Sequence, residues 1–372
     1  MVDERLRIGI VGCGDVAHRH YLPAIAELAH DVRIAAVVDP RPGVAEATAA
    51  AIDGWSASAR AYTDPEAMLR DGDLDAVVDL VPAPLHGEVN TAILDAGLDL
   101  YTEKPLASTV EDASRLIDLA HARGRRFLSA PGVAATARFA WLDQLVRSGQ
   151  YGAASLVVAH HADPGPAAWR EYTGDPRPFY REGVGPVFDH GVYRLHTMTA
   201  LLGPVVAVQA MGAIGTPTRH VRGGPLTGRT VEVTTPDHVL INLEFASGAL
   251  GQLLASFGTP STRAPWLEVH LRTATVSFGG ASHERDAPVH IYLDDESPAA
   301  TEAWHVADAP VDAYGVVETG IRHFVDVLLG RSEPILSAEH ARHVLDITLR
   351  AYASIDDGAT HRTSTTFAFS PP

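Results

Sequence analysis

Lys104 is the only lysine in the chain; the other 28 basic side chains are all arginines. Arginine serves wherever a positive charge merely has to sit on a surface, so the exception points to chemistry that arginine cannot do. An ammonium loses its proton when desolvated or placed beside a second cation, whereas a guanidinium stays charged. Lys104 lies in Tyr101-Thr102-Glu103-Lys104-Pro105, directly after the expected strand Leu98 to Tyr101, at the carboxyl edge where open α/β sheets bind ligands. An oxidised nicotinamide ring would be the second cation, which makes Lys104 a candidate for the proton transfer that accompanies a hydride. Glu103 is placed to position Lys104 or to bind the cofactor, and Pro105 fixes a rigid turn to which a cis bond is open. Codon usage alone would also leave one lysine, and on that reading Lys104 has no role.

A second group of reactive types stands in Glu182 to Gly203, where a Gly- and Pro-rich approach leads into a helical stretch carrying Asp189, Tyr193 and His196. On an α-helix the spacing i, i+4, i+7 puts a carboxylate, a phenol and an imidazole on one face. Tyr193, with its pKa lowered by a nearby lysine, is a candidate acid/base, and Asp189 is placed to orient Lys104 or a substrate hydroxyl. His190 and Arg194 form a second i, i+4 pair on an adjacent, more solvent-exposed face. The alternative is an N-cap aspartate followed by an aromatic packed at helical spacing. The 19 histidines include no H-E-x-x-H helix or similar ligand cluster, so no metal site is expected.

The third element is Gly12-Cys13-Gly14-Asp15-Val16-Ala17, a G-x-G-x-x-A turn between the first strand and a helix. Gly12 permits the tight turn, Gly14 lets backbone approach a pyrophosphate, and Ala17 allows close helix–strand packing. The helix start at Asp15 and Val16 supplies N–H donors and the positive end of the dipole. Asp39 closes the second strand, where it can accept hydrogen bonds from an adenosine ribose diol. That makes NAD the expected cofactor, while Arg41, able to pair with a 2′-phosphate, admits NADP. His86 follows Pro82 at the end of the expected strand Ala76 to Val81 and is read as lining the nicotinamide pocket or as a structural helix-start residue.

These groups need a scaffold. From Arg7 to about Ala130, short apolar runs (Ile8 to Val11, Ile34 to Val38, Ala76 to Val81, Leu98 to Tyr101, Phe127 to Ala130) alternate with amphipathic helical stretches such as His86 to Gly97 and Val110 to Gly124. Strand–helix alternation implies right-handed crossovers and a doubly wound parallel sheet, a Rossmann domain over residues 1–130. After a helix at Ala135 to Ser148 the pattern changes to longer alternating strands, with Val239 to Phe245 and Ala249 to Phe257 joined as a hairpin. Residues 131–372 therefore read as an α+β domain with an open, mostly antiparallel sheet. It contains a helix near Phe188 to Leu202 and closing helices near Val316 to Leu329 and Ala338 to Ser354, which can pack back on the first domain. The tail after Asp357 reads as a loose terminus.

Composition narrows the class. A formal net charge of −17 on 372 residues repels nucleic acid and anionic membrane surfaces. A lone cysteine, Cys13, allows no intramolecular disulfide and suits a reducing cytoplasm, and no targeting segment or membrane-length apolar run is visible.

These residues resemble the Gfo/Idh/MocA family, named for glucose-fructose oxidoreductase and inositol dehydrogenase. The likeness is carried by GIVGCGDVA (Gly9 to Ala17), PAPLH (Pro82 to His86), LYTEKPLA (Leu100 to Ala107), GVGPVFDHGVYRLH (Gly183 to His196) and SAEHARHVLDI (Ser337 to Ile347). The resemblance implies a first domain that binds NAD or NADP and a second that supplies a substrate wall and an oligomer interface, as dimer or tetramer. By position, Lys104 corresponds to the family's active-site lysine and Asp189 to its partner aspartate. Tyr193 stands where inositol dehydrogenases carry histidine; tyrosine there is similar to glucose-fructose oxidoreductase and some sugar ketoreductases, which argues against simple inositol oxidation. His196 occupies a position that is often Asp or Asn, and Trp169, Arg177 and Tyr180 border the expected substrate pocket or pack between subunits. The expected activity is hydride transfer between nicotinamide and a hydroxyl or ketone carbon of a sugar, keto-sugar or cyclitol. Redox-assisted glycoside cleavage and a non-catalytic dinucleotide sensor remain as alternatives.

Overall fold

A computed structural model describes residues 4–56, 58–71, 73–280, 285–297 and 303–369. The chain divides into two compact units, Met1–Ala135 with Val316–Leu345 and Thr136–Gly315 with Asp346–Pro371.

The first unit is built on a six-stranded parallel sheet of β1 (Leu6–Val11), β2 (Val32–Val38), β3 (Arg60–Tyr62), β4 (Ala76–Asp79), β5 (Asp99–Thr102) and β6 (Phe127–Ser129), in the spatial order β3-β2-β1-β4-β5-β6. The central strands are apolar almost without a break because helices cover both faces of such a sheet. The edge strand β3 escapes sequence reading: its three residues, Arg60-Ala61-Tyr62, are partly exposed and too short for periodicity. The helix Val110–Arg123 shows how local rules set an element. Thr109 caps its start by accepting from the Asp112 N–H at 3.0 Å, Gly124 ends it with φ 63°, and Ala113, Leu116, Ile117 and Ala120 bury one face.

A C-terminal helix, Val316–Leu328, also belongs to this unit. A side chain at Gly132 would overlap the backbone of Gly320 and Val316, and one at Gly320 would overlap the Tyr101 hydroxyl. Two glycines thus let the turn after β6 and this late helix meet at backbone distance.

The second unit carries a nine-stranded mixed sheet, ordered Trp304–Val306, Val289–Leu293, Ala274–Phe278, Leu267–Leu271, Ala154–Ala162, Leu250–Ser256, His238–Phe245, Val205–Ala213 and His361–Arg362. Its pairs are antiparallel except Ala154–Ala162 with Leu250–Ser256, which is parallel. The expected hairpin is present, with Asn242 opposite Gln252. Along His238–Phe245 the residues Val239, Ile241, Leu243 and Phe245 are buried, while Leu240, Asn242 and Glu244 face outward, the period-2 pattern of a sheet covered on one side.

The tail is not the loose terminus that its composition suggests. His361–Arg362 adds to the sheet edge beside Val208 and Ala207, and the buried Asp346 carboxylate accepts from the Ser364 and Thr365 N–H groups at 2.6 and 3.0 Å. Specific hydrogen bonds, the burial of Phe367 and the edge-on packing of Phe369 against Phe139 order this segment.

Candidate active site

In the first unit, Gly12 has φ 95°, and a Cβ there would stand 2.7 Å from the Leu80 carbonyl oxygen, so only glycine fits the turn after β1. An added Cβ at Gly14 would meet nothing within 4 Å, which leaves the backbone open to a ligand. The helix that follows opens at Asp15 and Val16 and passes through a π turn at Ala17–Tyr21, a local widening that recurs at functional sites. Asp15 pairs with Arg19 at 3.4 Å.

Asp39 ends β2 with its carboxylate buried against this turn. Its Oδ2 accepts from the Cys13 N–H at 3.1 Å, and its Oδ1 accepts from the Arg41 N–H at 3.0 Å. The Arg41 guanidinium lies across the same carboxylate, Nε to Oδ1 at 2.8 Å and Nη2 to Oδ2 at 2.7 Å. The hydrogen-bonded guanidinium holds the Asp39 carboxyl below the usual carboxylate range. Open space at Gly14, N–H groups at a helix start and an ionised carboxylate at the end of β2 fit a dinucleotide: pyrophosphate over the turn, ribose at Asp39.

Lys104 sits in a braced turn. The buried Glu103 accepts from the Tyr21 hydroxyl through Oε1 at 2.6 Å and from the Lys104 N–H through Oε2 at 3.0 Å, and the Lys104–Pro105 bond is cis. Tyr21 in this bracing was not singled out by sequence. Glu103 therefore positions Lys104 through the backbone. His86 is buried, with Nδ1 2.5 Å from the Pro105 carbonyl oxygen and Nε2 2.9 Å from that of Val81. It ties the turn after β4 to the Lys104 turn, while Pro82, at the start of the intervening short helix, is exposed.

In the second unit the stretch that carries Asp189 is not a plain α-helix. It begins with a π turn, Val187–Gly191, and becomes α-helical only over Val192–Leu202. The i, i+4, i+7 spacing assumed one continuous α register, and the wider turn breaks that assumption between Asp189 and Tyr193. Asp189 and His196 are buried and Tyr193 is half-buried.

The expected exposure of His190 and Arg194 is overturned. Arg194 is buried, donating through Nε to the His160 carbonyl oxygen at 3.1 Å, with Nη2 3.3 Å from His161 Nδ1 and its Cζ 4.6 Å above the Trp266 ring. Burial pushes its guanidinium down to about 9. His190 lies among rings: His161 at 4.0 Å, Trp169 stacked at 5.1 Å, and Tyr193 edge-on at 6.3 Å between centroids. Its Nε2 is 3.6 Å from Asp189 Oδ2 and its Nδ1 3.5 Å from Asp163 Oδ2. Burial, with His190 adding to it, pushes the His161 imidazole down to about 3. Burial by itself would raise the Asp163 carboxyl, but the facing His161 and His190 rings override it and hold it well below the usual range.

Trp169 thus joins Asp189 and Tyr193 through His190. Tyr180 is fully enclosed in a core with Ala167, Val221, Val231, Val233 and Phe257, its hydroxyl oxygen accepting from the Ala167 N–H at 3.0 Å. It presents no surface to a ligand. Arg177 is exposed and paired with Asp175, its Nε 2.9 Å from Oδ1. His161, Asp163 and His190 were missed as a group, although one signal was present: His161 and Asp163 are two apart at the end of a strand, where the period puts them on one side.

Comparison with known proteins agrees with this chemistry. Residues 6–130 match the profile described as the oxidoreductase family with an NAD-binding Rossmann fold, and residues 139–277 match the GFO/IDH/MocA C-terminal domain. The dTDP-3,4-didehydro-2,6-dideoxy-alpha-D-glucose 3-reductase of Streptomyces antibioticus is 30% identical over 289 residues, 74% of this chain and 83% of that protein. Inositol 2-dehydrogenase of Paracoccus denitrificans is 32% identical over 123 residues, 33% of this chain and 35% of that protein. Among solved structures, the WlbA dehydrogenase from Chromobactrium violaceum, in complex with NADH and UDP-GlcNAcA, superposes with a TM-score of 0.76 at 19% identity, over 99% of this chain and 98% of that one. The aldose-aldose oxidoreductase from Caulobacter crescentus, complexed with glycerol, gives 0.76 at 22% identity, over 96% and 99%. The glycine turn, the braced lysine and both matched domains place this chain in the Gfo/Idh/MocA family of NAD-binding oxidoreductases.

Proposed function

We propose that this enzyme transfers a hydride between nicotinamide C4 and a carbon bearing a hydroxyl or ketone on a sugar, keto-sugar or cyclitol. The observation that carries the reading is the sole lysine, set on a turn at the end of β5 that Glu103 and His86 brace from two sides. Such a turn spends hydrogen bonds on placing one amine, as a proton-transfer group needs. Lys104 and Tyr193 are assigned the proton, and Asp189 the substrate hydroxyl. Bound at the glycine turn, with Gly12, Gly14 and Asp39 holding its diphosphate and ribose, the nicotinamide cofactor supplies or accepts the hydride. Substrate class follows from the relatives, which include a reductase of a dideoxy keto-sugar nucleotide and inositol dehydrogenases.

Self-association is part of the proposal. The outward face of the second unit's sheet carries Met211, Leu240 and Leu250, which are 75%, 48% and 56% exposed. Adjacent strands bring Met211 and Leu240 face to face in register, a patch suited to a second copy. A cytoplasmic location is proposed as well; Cys13 is buried, and among the described residues no helix is long and apolar enough to cross a membrane.

The test is Lys104→Met, assayed against a panel of polyols, sugars and keto-sugars. Turnover is expected to fall at least a thousandfold, while NADH binding, read by fluorescence titration, stays within a few-fold of wild type. Near-normal turnover overturns the assignment of Lys104.

A further inference from the structure

We propose that His161, Asp163 and His190 bind one divalent transition-metal ion of the zinc or cobalt class, leaving coordination positions open to oxygen ligands. Their ligating atoms all lie within 4.8 Å of one another. His161 Nε2 is 3.2 Å and His190 Nδ1 is 3.5 Å from Asp163 Oδ2. Donor atoms that share one tetrahedral ion at about 2.0–2.2 Å stand roughly 3.4 Å apart, close to the separation that each of the two imidazole nitrogens keeps from the shared Asp163 oxygen. His190 Nδ1 is buried, and the acceptor it faces, Asp163 Oδ2 at 3.5 Å, stands at the limit of hydrogen-bond reach, so a metal would satisfy this nitrogen better.

The surroundings fit the same role. The Gly165 N–H donates to Asp163 Oδ1 at 2.6 Å, which turns Oδ2 toward the two rings. Trp169 stacks on His190 and fixes its plane. All three side chains stay partly accessible, so an ion can enter and retain open positions, the pattern of catalytic rather than structural zinc. Two imidazoles and one carboxylate favour zinc, cobalt, nickel or iron over magnesium and calcium, which prefer oxygen alone.

Arg194 limits the affinity. A metal-bound imidazole usually donates its other N–H to an acceptor, whereas the Arg194 guanidinium stands 3.3 Å from His161 Nδ1. Loading at Nε2 gives up that contact, while Arg194 keeps its bond to the His160 carbonyl oxygen. The site is therefore weaker than a four-ligand structural zinc site.

The full-length protein, stripped with a chelator, is titrated with Co²⁺ and followed by its visible ligand-field absorption. Saturation at one ion per chain is expected. His190→Ala and Asp163→Asn are each expected to lose the band and weaken binding at least tenfold, while His305→Ala, on an exposed strand, leaves both unchanged. No band in wild type, or a band unaltered in both variants, overturns the proposal. Should either variant fail to fold, anomalous scattering from zinc-soaked wild-type crystals decides: a peak among the three residues supports the site, and its absence there refutes it. These readouts do not depend on turnover, so they can fail while the hydride-transfer reading stands, and the reverse.

Discussion

Each residue at the nucleotide turn has a separable job. Asp39 holds the Cys13 N–H and is proposed to hold the ribose, so Asp39→Ala removes hydrogen bonds to a charged group, worth about 1.5–3 kcal/mol. NADH affinity is expected to fall by roughly 10- to 100-fold in fluorescence titration. Arg41→Ala is expected to leave NADH binding nearly intact and to weaken NADPH binding by at least tenfold, since its guanidinium is the cation beside that carboxylate. Equal effects on both cofactors would remove Arg41 from the discrimination. The glycine pattern was legible in the sequence because only glycine tolerates the backbone it needs. The pairing of Arg41 with Asp39 was not, because the same side chain two residues on can turn to a carboxylate or a phosphate.

Elements position these residues through packing that local sequence only partly reveals. The meeting of Gly320 with Gly132 and Tyr101 is a backbone contact between segments far apart in the chain. Gly320→Val is expected to destabilise the first unit by about 3 kcal/mol or more, because a close-packed interface has no room for three extra carbons. Chemical denaturation measures it; a change under about 1 kcal/mol would mean that the helix can move away at little cost. The amphipathic spacing of Val110–Arg123 was readable with both ends. The π turn at Val187–Gly191 was not, since one inserted residue leaves no mark in a hydrophobic pattern, and with it went the expected exposure of Arg194.

At the scale of the molecule, pH dependence follows from burial. His323 is buried within the helix Val316–Leu328 and accepts from the Ile335 N–H at 3.3 Å, and burial pushes its imidazole down to about 4. The unfolded histidine takes up a proton near pH 6.5 and the folded one does not. Stability is thus level above about pH 6.5 and falls as pH drops toward 4, by about 3 kcal/mol in total. Asp79, pushed up to about 6 by burial, acts in the opposite sense over much of that range. The test is therefore a difference: the melting temperature of His323→Gln, whose amide oxygen can still accept from Ile335, is expected to gain on wild type as pH falls from 6.5 to 4. Parallel profiles would contradict it. The proposed association is tested at the same scale: Leu240→Glu puts a charge in the exposed apolar patch and is expected to reduce the assembled mass in light scattering, with the fold retained by circular dichroism.

What the sequence determined by itself was whatever repeats locally or tolerates one residue type. The alternation of apolar runs specified the parallel sheet, the period-2 strands specified the hairpin, and the glycine turn marked the nucleotide-binding fold. Tertiary structure decided which polar groups face one another. His161, Asp163 and His190 come from a strand end and a π turn, Tyr21 reaches Glu103 from another helix, and the tail is held by Asp346. Those partnerships depend on distances between segments that no local periodicity encodes.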